Sequence, residues 1–190
     1  MQKTQSEQFA HSMSCCGQLF STDPGRRDLL KIAGGALLLT SLGGLATNAK
    51  SASGDYEAMV LGCIDPRLQH LMQQYCAANG LTGKYSAFKF AGAAIGVVAP
   101  AFKEWQKTFW GNLDVSVKLH NIKKVIVINH RDCGAAQVAF GRPAVATPEL
   151  ETETHKKSLL EFRAQLKKNH PNLAVQLNLM ALDGTVETFS

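Results

Sequence analysis

The sequence predicts an α/β fold of three layers, in which a central, mostly parallel sheet is flanked by helices and ends in a C-terminal hairpin strand. Residues 125–128 are four consecutive β-branched residues, typical of a strand buried on both faces within a parallel sheet. Segments with helical character separate the other apolar runs, as the crossovers between parallel strands require. Near the end, Asp183-Gly184 is a hairpin turn signal, which indicates one antiparallel strand.

The first half of this domain alternates strand and helix. An apolar run at 57–62 predicts the first strand. Apolar residues at helical spacing predict a helix at 68–78, which stops before Asn79-Gly80. Aromatic residues favour a second strand at 84–90. The small residues of 91–96 predict a loop that brings backbone close to the strand ends.

Residues 100–120 are helical in character, with an interruption expected near Gly111-Asn112. This segment precedes the central strand. Its aromatic side chains fit a core or a dimer contact better than a stacking platform: Trp105, Phe109 and Trp110.

The second half continues the alternation. A helix at 135–140 follows the central strand and is broken at 141–143 by glycine and proline. The helix at 149–168 is acidic at its start and basic at its end, which fits the helix dipole. His155 lies among charged residues there, so we expect it to be solvated. Two strands close the chain, at 173–182 and 185–189.

Candidate metal ligands follow two of the predicted strands. His130 and Cys133 lie just past the central strand, and Cys63 comes directly after the first strand. If these strands are adjacent and parallel, the three side chains meet around one ion at the carboxyl edge of the sheet. Cys133 also precedes a predicted helix, whose N–H groups and dipole favour its thiolate. Three protein ligands with an open fourth position are typical of a catalytic zinc site.

A disulfide between Cys63 and Cys133, with Cys76 unpaired, is the alternative in an oxidising compartment. His130 and Asp65 favour the metal site, because a disulfide requires neither residue. Cys76 lies on an apparent helix face, where a small core residue is the expectation.

Two motifs resemble those of the β-class carbonic anhydrases, namely Cys63-x-Asp65-x-Arg67 and, after it, His130-x-x-Cys133. The resemblance extends to residues 90–93 and to the tract 114–135, and it covers about residues 56–190. In that family two cysteines and a histidine hold Zn²⁺. The resemblance therefore implies Zn²⁺ as the cofactor, with these metal ligands: Cys63, His130 and Cys133.

The resemblance also implies roles for the remaining site residues. Asp65 and Arg67 would be catalytic and control the fourth metal position, and Gly92 would offer a backbone contact to substrate. The implied reaction is the reversible hydration of carbon dioxide to bicarbonate by a zinc-bound hydroxide, in a homodimer or higher homo-oligomer. A COS or CS₂ hydrolase of the same fold and a non-catalytic zinc-binding homologue are the alternatives.

The sequence departs from the family pattern at three points. Pro66 stands where the family has a small polar residue. Lys89 and Ala93 stand where it has an arginine and an asparagine. The chain after residue 49 also leaves little room for the N-terminal helical arm that embraces the partner subunit in the family.

Residues 1–49 resemble a twin-arginine export signal. Arg26-Arg27 precede the apolar, glycine-containing run 32–45, which is short for a membrane span. Thr47 and Ala49 offer a cleavage site, with Gly44 and Ala46 as an alternative. We therefore expect recognition by the twin-arginine export machinery and a periplasmic location. An uncleaved signal that anchors the protein in the membrane is the alternative.

The charge of the remaining domain excludes one class of partner. Four of the 20 Lys and Arg residues and three of the 15 Asp and Glu residues precede residue 50, so the 141 residues of 50–190 carry a net charge of +4. This length is enough for one zinc domain with a single core. The basic residues are scattered rather than clustered with aromatic ones, so we expect no nucleic-acid binding.

Overall fold

The computed structural model describes residues 54–190. The predicted export signal and its cleavage site lie outside the described residues. Five strands form one sheet: β1 (Ala58–Gly62), β2 (Tyr85–Lys89), β3 (Lys124–His130), β4 (Ala174–Met180) and β5 (Val186–Phe189). Their order is β2-β1-β3-β4-β5, with the first four strands parallel and β5 antiparallel to β4. The predicted fold class, with its C-terminal hairpin strand, is confirmed.

Helices cover both faces of this sheet: α1 (Leu68–Ala78), α2 (Ala94–Val98), α3 (Lys103–His120), α4 (Gly134–Phe140) and α5 (Pro148–Asn169). Two 3₁₀ turns complete the connections, at Pro100–Phe102 and Arg142–Val145. Within 54–190, no helix combines the length and apolar character needed to cross a bilayer.

Side chains of β1 and β3 alternate between two apolar layers, because successive residues of a strand point to opposite faces. One layer lies under α3 and α5, and its buried residues include Met59, Val127, Phe109 and Phe162. The other lies under α1 and includes Val60, Ile128, Leu68, Met72 and Cys76. Burial on both faces explains the β-branched run of β3, and Cys76 is a core residue as expected.

The loop predicted at 91–96 is only partly correct, because Ala94–Val98 forms the short helix α2. The N–H of Ala94 is capped from another element, by Asn129 Oδ1 at 3.0 Å. A cap supplied by a residue 35 positions away leaves no local sequence signal.

The interruption expected near Gly111-Asn112 is wrong, because α3 runs unbroken from Lys103 to His120. Asn112 Nδ2 donates a hydrogen bond to Thr108 O at 2.9 Å, one turn earlier in the same helix, so its side chain does not interrupt the helix. Packing of Phe109 and Leu113 into the core stabilises this stretch and outweighs the weak propensity of a single glycine.

His155 is fully buried, which corrects the expectation that it is solvated. It lies on α5 with Leu159, Phe162 and Leu166, all buried and spaced three or four residues apart. The charged residues next to it in the sequence lie on other faces of the helix. The burial of His155 is therefore decided by the helical face on which it lies and not by its sequence neighbours.

The three aromatic residues of α3 have different environments. Phe109 is in the core, and Trp110 is half-buried and stacks on the ring of Phe162. Trp105 is 40% exposed and stacks on Phe102 with ring centroids 4.4 Å apart. The core expectation therefore holds for Phe109 and in part for Trp110, while Trp105 lies at the surface.

Candidate metal centre

Cys63, His130 and Cys133 converge at the carboxyl edge of the sheet. Gly62 at the end of β1 pairs with Ile128 in β3, so Cys63 lies beside the end of β3. His130 is the last residue of β3, and Cys133 immediately precedes α4. The ligand atoms of the three residues lie within 4.8 Å of one another, and all three residues are buried. The structure thus brings the three expected ligands together.

The ring of His130 is oriented for metal binding. Its Nδ1 donates a hydrogen bond to the carbonyl oxygen of Arg131 at 2.8 Å, so Nε2 carries the free lone pair. Nε2 is buried and has no hydrogen-bond partner among residues 54–190. A buried acceptor without a partner is costly, and metal-binding histidines usually make this same bond to a carbonyl. Two thiols and an imidazole are a donor set that fits Zn²⁺.

The two thiols share one proton in the metal-free chain. The hydrogen bond from Cys133 lowers the pKa of Cys63 to about 4, with further help from the backbone N–H groups of Asp65 and Gly92. The same hydrogen bond raises the pKa of Cys133, and burial adds to the rise. Cys63 is therefore the first thiolate, and a cation between the sulfurs would stabilise the second.

Asp65 and Arg67 form the expected pair beside the ligands. Arg67 Nε donates to Asp65 Oδ1 at 3.0 Å and Nη2 to Oδ2 at 2.8 Å, a bidentate arrangement. This pairing lowers the pKa of Asp65 to about 2. Asp65 Oδ2 is 3.9 Å from His130 Nε2, so the carboxylate lies next to the ligand atoms. Pro66 between the two residues does not disturb the geometry.

Asp132 is a site residue that the sequence interpretation missed. Arg67 Nη1 donates to Asp132 Oδ2 at 2.8 Å, and Nη2 donates to the Asp132 carbonyl at 3.0 Å. Asp132 has a φ of 55°, and its N–H donates to Glu151 Oε1 at 2.6 Å. The position of Asp132 between His130 and Cys133 could have indicated a role in the site. Nothing in the sequence distinguishes Glu151 from the other acidic residues of α5.

Gly92 contacts a sulfur atom. Its N–H donates to Cys63 Sγ at 3.3 Å, and its φ of 75° favours glycine. A Cβ at this position would lie 3.0 Å from the Cβ of Ala135 and 3.1 Å from that of Ile95. Glycine is therefore required here to bring backbone close to the site, and its expected contact with substrate stays a prediction.

A shallow pocket of about 310 Å³ is lined in part by Ile64 and Ala91, which are the sequence neighbours of Cys63 and Gly92. The lining residues are Ile64, Lys89, Phe90, Ala91, Trp105 and Thr108. The pocket is mostly apolar, and the Lys89 ammonium bonds to Met72 Sδ at 3.3 Å.

Residues 54–177 match the model of a family described as "Putative carbonic anhydrase". The chain belongs to this family. An uncharacterized protein of Rickettsia bellii is 32% identical over 129 residues, which are 68% of this chain and 79% of that protein. An uncharacterized protein of Rickettsia conorii is 31% identical, over 68% of this chain and 69% of that protein.

Two of the solved structures that this chain resembles are β-carbonic anhydrases. A Coccomyxa β-carbonic anhydrase in complex with acetazolamide has a TM-score of 0.50 and 16% identity, over 75% of this chain and 76% of that one. The Aspergillus fumigatus β-carbonic anhydrase CafD also has a TM-score of 0.50, with 11% identity over 71% and 90% of the two chains. The resemblance drawn from the sequence motifs is therefore confirmed at the level of family and fold.

Proposed function

We propose that this carbonic anhydrase family member hydrates carbon dioxide reversibly to bicarbonate, with Zn²⁺ held by Cys63, His130 and Cys133. The observation that carries the proposal is His130 Nε2, which is buried near two thiols and has no partner in the described part of the chain. Bound Zn²⁺ would supply hydroxide near neutral pH, because the metal acidifies water. Membership of the family favours carbon dioxide as the substrate.

Arg67 and Asp65 control access to the metal in this proposal. The bidentate pair keeps the Asp65 carboxylate on the guanidinium, so a metal held by the three ligands would stay accessible to water. Asp65 remains ionised at neutral pH, because its pKa is about 2. Its Oδ2 is an acceptor that can orient a water molecule beside the ligands.

The pocket beside Cys63 suits a small apolar substrate. Ile64, Phe90 and Trp105 present apolar surface at the pocket. An apolar lining admits carbon dioxide, which is itself apolar. COS and CS₂ are also small and apolar, so they are the alternative substrates to assay.

Assembly and export are further parts of the proposal. Ile64 is 58% exposed and Trp105 is 40% exposed, and both lie beside the pocket. Exposed apolar residues grouped in this way favour a contact between copies of the chain in a homodimer or higher homo-oligomer. Arg26-Arg27 favour export by the twin-arginine machinery to the periplasm.

The test is metal content and hydration measured together on chain purified from the periplasm. We expect one zinc per chain and carbon dioxide hydration that disappears with a chelator and returns with added zinc. Cys76→Ala removes a thiol outside the site and serves as the control that keeps both. Zinc without hydration of carbon dioxide at any pH from about 6 to 9 would contradict the proposal and favour a non-catalytic zinc protein, whereas COS or CS₂ turnover would favour the hydrolase.

A further inference from the structure

Two polar residues, Asn129 and His155, lie inside the apolar layer between the sheet and α5. Both are completely buried. Asn129 is on β3 directly before His130, and His155 is surrounded on its helix by buried apolar residues: Leu159, Phe162 and Leu166. Buried polar groups in such a layer cost stability unless they are hydrogen-bonded, so their contacts indicate why they are there.

The Asn129 side chain joins α5 to the start of α2. Its Nδ2 donates to His155 Nδ1 at 3.0 Å, and its Oδ1 accepts the N–H of Ala94 at 3.0 Å. These two bonds have opposite polarity, so only one orientation of the amide satisfies both. His155 thereby fixes which way the Asn129 amide points.

The turn before Ala94 needs such an anchor. Gly92 and Ala93 both have positive φ values, of 75° and 49°, and for Ala93 this is a conformation that a residue with a Cβ rarely adopts. The Ala93 side chain cannot cap α2, so the bond from Ala94 to Asn129 Oδ1 takes that place. A strained turn persists only where surrounding contacts hold it. Asn129 supplies one of these contacts, beside the hydrogen bonds from Ala93 N–H to Phe90 O at 2.9 Å and from Ile95 N–H to Gly92 O at 3.0 Å.

The same turn delivers the backbone N–H that touches the sulfur site. Gly92 donates to Cys63 Sγ at 3.3 Å, two residues before the anchored N–H of Ala94. A continuous chain of contacts therefore runs from His155 through Asn129 and the turn to Cys63. A backbone donor on a thiolate adjusts its charge and its position relative to a metal.

A purely structural role for His155 is disfavoured by its other nitrogen. Nε2 of His155 is buried with no hydrogen-bond partner within residues 54–190. Because Nδ1 accepts the Asn129 bond, Nε2 carries the proton and is an unsatisfied donor. A leucine would fill the space without this cost, so the benefit of the histidine lies in the bond that it makes through Nδ1.

We propose that Asn129 and His155 are positioning residues which hold the Gly92 N–H on Cys63 Sγ and thereby set the metal affinity of the site. The inference rests on the proposed metal site for its consequence, but the clamp on the turn exists in the metal-free chain. It can therefore be measured with and without zinc.

The experiment compares His155→Leu, His155→Gln and Phe162→Leu. The leucine cannot accept the bond from Asn129, whereas the glutamine Oε1 can. Phe162→Leu changes the same layer of α5 outside the hydrogen-bonded chain, so it shows what loss of packing alone does. Amide hydrogen exchange at Gly92 and Ala94 is measured in the metal-free chain, and zinc affinity is measured by competition with a chelator.

In His155→Leu we expect exchange at Gly92 and Ala94 to rise at least about tenfold above that in Phe162→Leu, and zinc to bind about tenfold more weakly. His155→Gln should recover most of both. If His155→Leu does not fold, Asn129→Ser gives the same comparison, because serine is too short to reach both partners. Equal exchange at these two amides in the tested variant and in Phe162→Leu overturns the proposal.

Failure of the proposed function has a different signature. Wild-type chain that binds no zinc contradicts the metal site, whatever the exchange data show. If exchange at Gly92 and Ala94 still responds to His155→Leu in that chain, the clamp on the turn stands and its consequence for a metal is refuted. If exchange responds and zinc affinity does not, the assignment of a positioning role is overturned.

Discussion

Arg67 holds the Asp65 carboxylate by two parallel hydrogen bonds, from Nε to Oδ1 at 3.0 Å and from Nη2 to Oδ2 at 2.8 Å. The Arg67 side chain is 46% exposed and that of Asp65 is 16% exposed, so solvent screens the pair in part. The value of the pair lies in where it keeps the carboxylate, beside the metal ligands.

The first prediction concerns this pair. Arg67→Ala should keep zinc but abolish hydration, because the freed Asp65 carboxylate can turn to the metal and exclude water. Adding Asp65→Ala should restore part of the activity, since it removes that carboxylate. Zinc stoichiometry and carbon dioxide hydration of the two variants check this. Loss of zinc from Arg67→Ala would mean that Arg67 maintains the site itself, and the gating role would be wrong.

The second prediction separates ligands from other cysteines. Cys133→Ser should lose zinc, because a neutral hydroxyl is a poor replacement for a thiolate. Cys76→Ser should keep it, since Cys76 lies in the core under α1. The zinc content of the two purified variants is the measurement. Equal retention in both would remove Cys133 from the ligand set.

The third prediction tests the residue found from the structure. Asp132→Asn keeps the backbone carbonyl that accepts from Arg67 Nη2 but removes the charge opposite Nη1. We expect zinc to stay and hydration to fall about tenfold, less than in Arg67→Ala, because Asp65 still holds the guanidinium. Asp183→Asn, an exposed acid in the turn before β5, is the control. Unchanged hydration in Asp132→Asn would show that Asp65 alone positions Arg67.

The fold could be predicted because its signals are local. A run of four β-branched residues and a two-residue turn signal are each contained in a few positions, and the structure has a strand and a hairpin there. That Cys63, His130 and Cys133 lie close together also followed from local patterns. Each lies at or just past the carboxyl end of a predicted strand, and neighbouring parallel strands have their carboxyl ends at the same edge of the sheet.

Other features depend on contacts across the chain and could not be predicted. The α2 cap comes from Asn129, and the backbone of Asp132 is held by Glu151 on another element. His155 was judged by its charged neighbours in sequence, although its helical spacing with Leu159 and Phe162 was there to be used. Long-range hydrogen bonds leave no local pattern, whereas helical spacing does.

The fourth prediction concerns export. Changing Arg26-Arg27 to Lys-Lys should leave the precursor in the cytoplasm, because lysine lacks the guanidinium geometry on which recognition depends. The measurement is the distribution of the chain between cytoplasm and periplasm. Changing Arg142 to Lys serves as the control, since Arg142 is far along the sequence from the signal. Normal periplasmic accumulation of the Lys-Lys variant would contradict the export hypothesis.

The last prediction follows from the burial of His155. Burial lowers its pKa from 6.5 to about 4, and the nearby charges of His130 and Arg131 act in the same direction. His155 is therefore protonated near pH 6.5 in the unfolded chain but only near pH 4 in the folded chain. Its contribution to the free energy of unfolding is complete above pH 6.5 and is lost progressively as the pH falls from there to 4.

Between about pH 7.5 and pH 5, metal-free wild type should therefore lose about 2 kcal/mol more stability than His155→Gln, which cannot titrate at this position. Urea unfolding of both chains at the two pH values measures the difference. His70→Gln removes an exposed histidine and should behave as wild type does. If wild type and His155→Gln lose equal stability, His155 accepts a proton in the folded state as readily as in the unfolded one. In that case Nδ1 of His155 could take up a proton and could no longer accept the hydrogen bond from Asn129. The arrangement that orients the Gly92 turn would then not be the main one in solution.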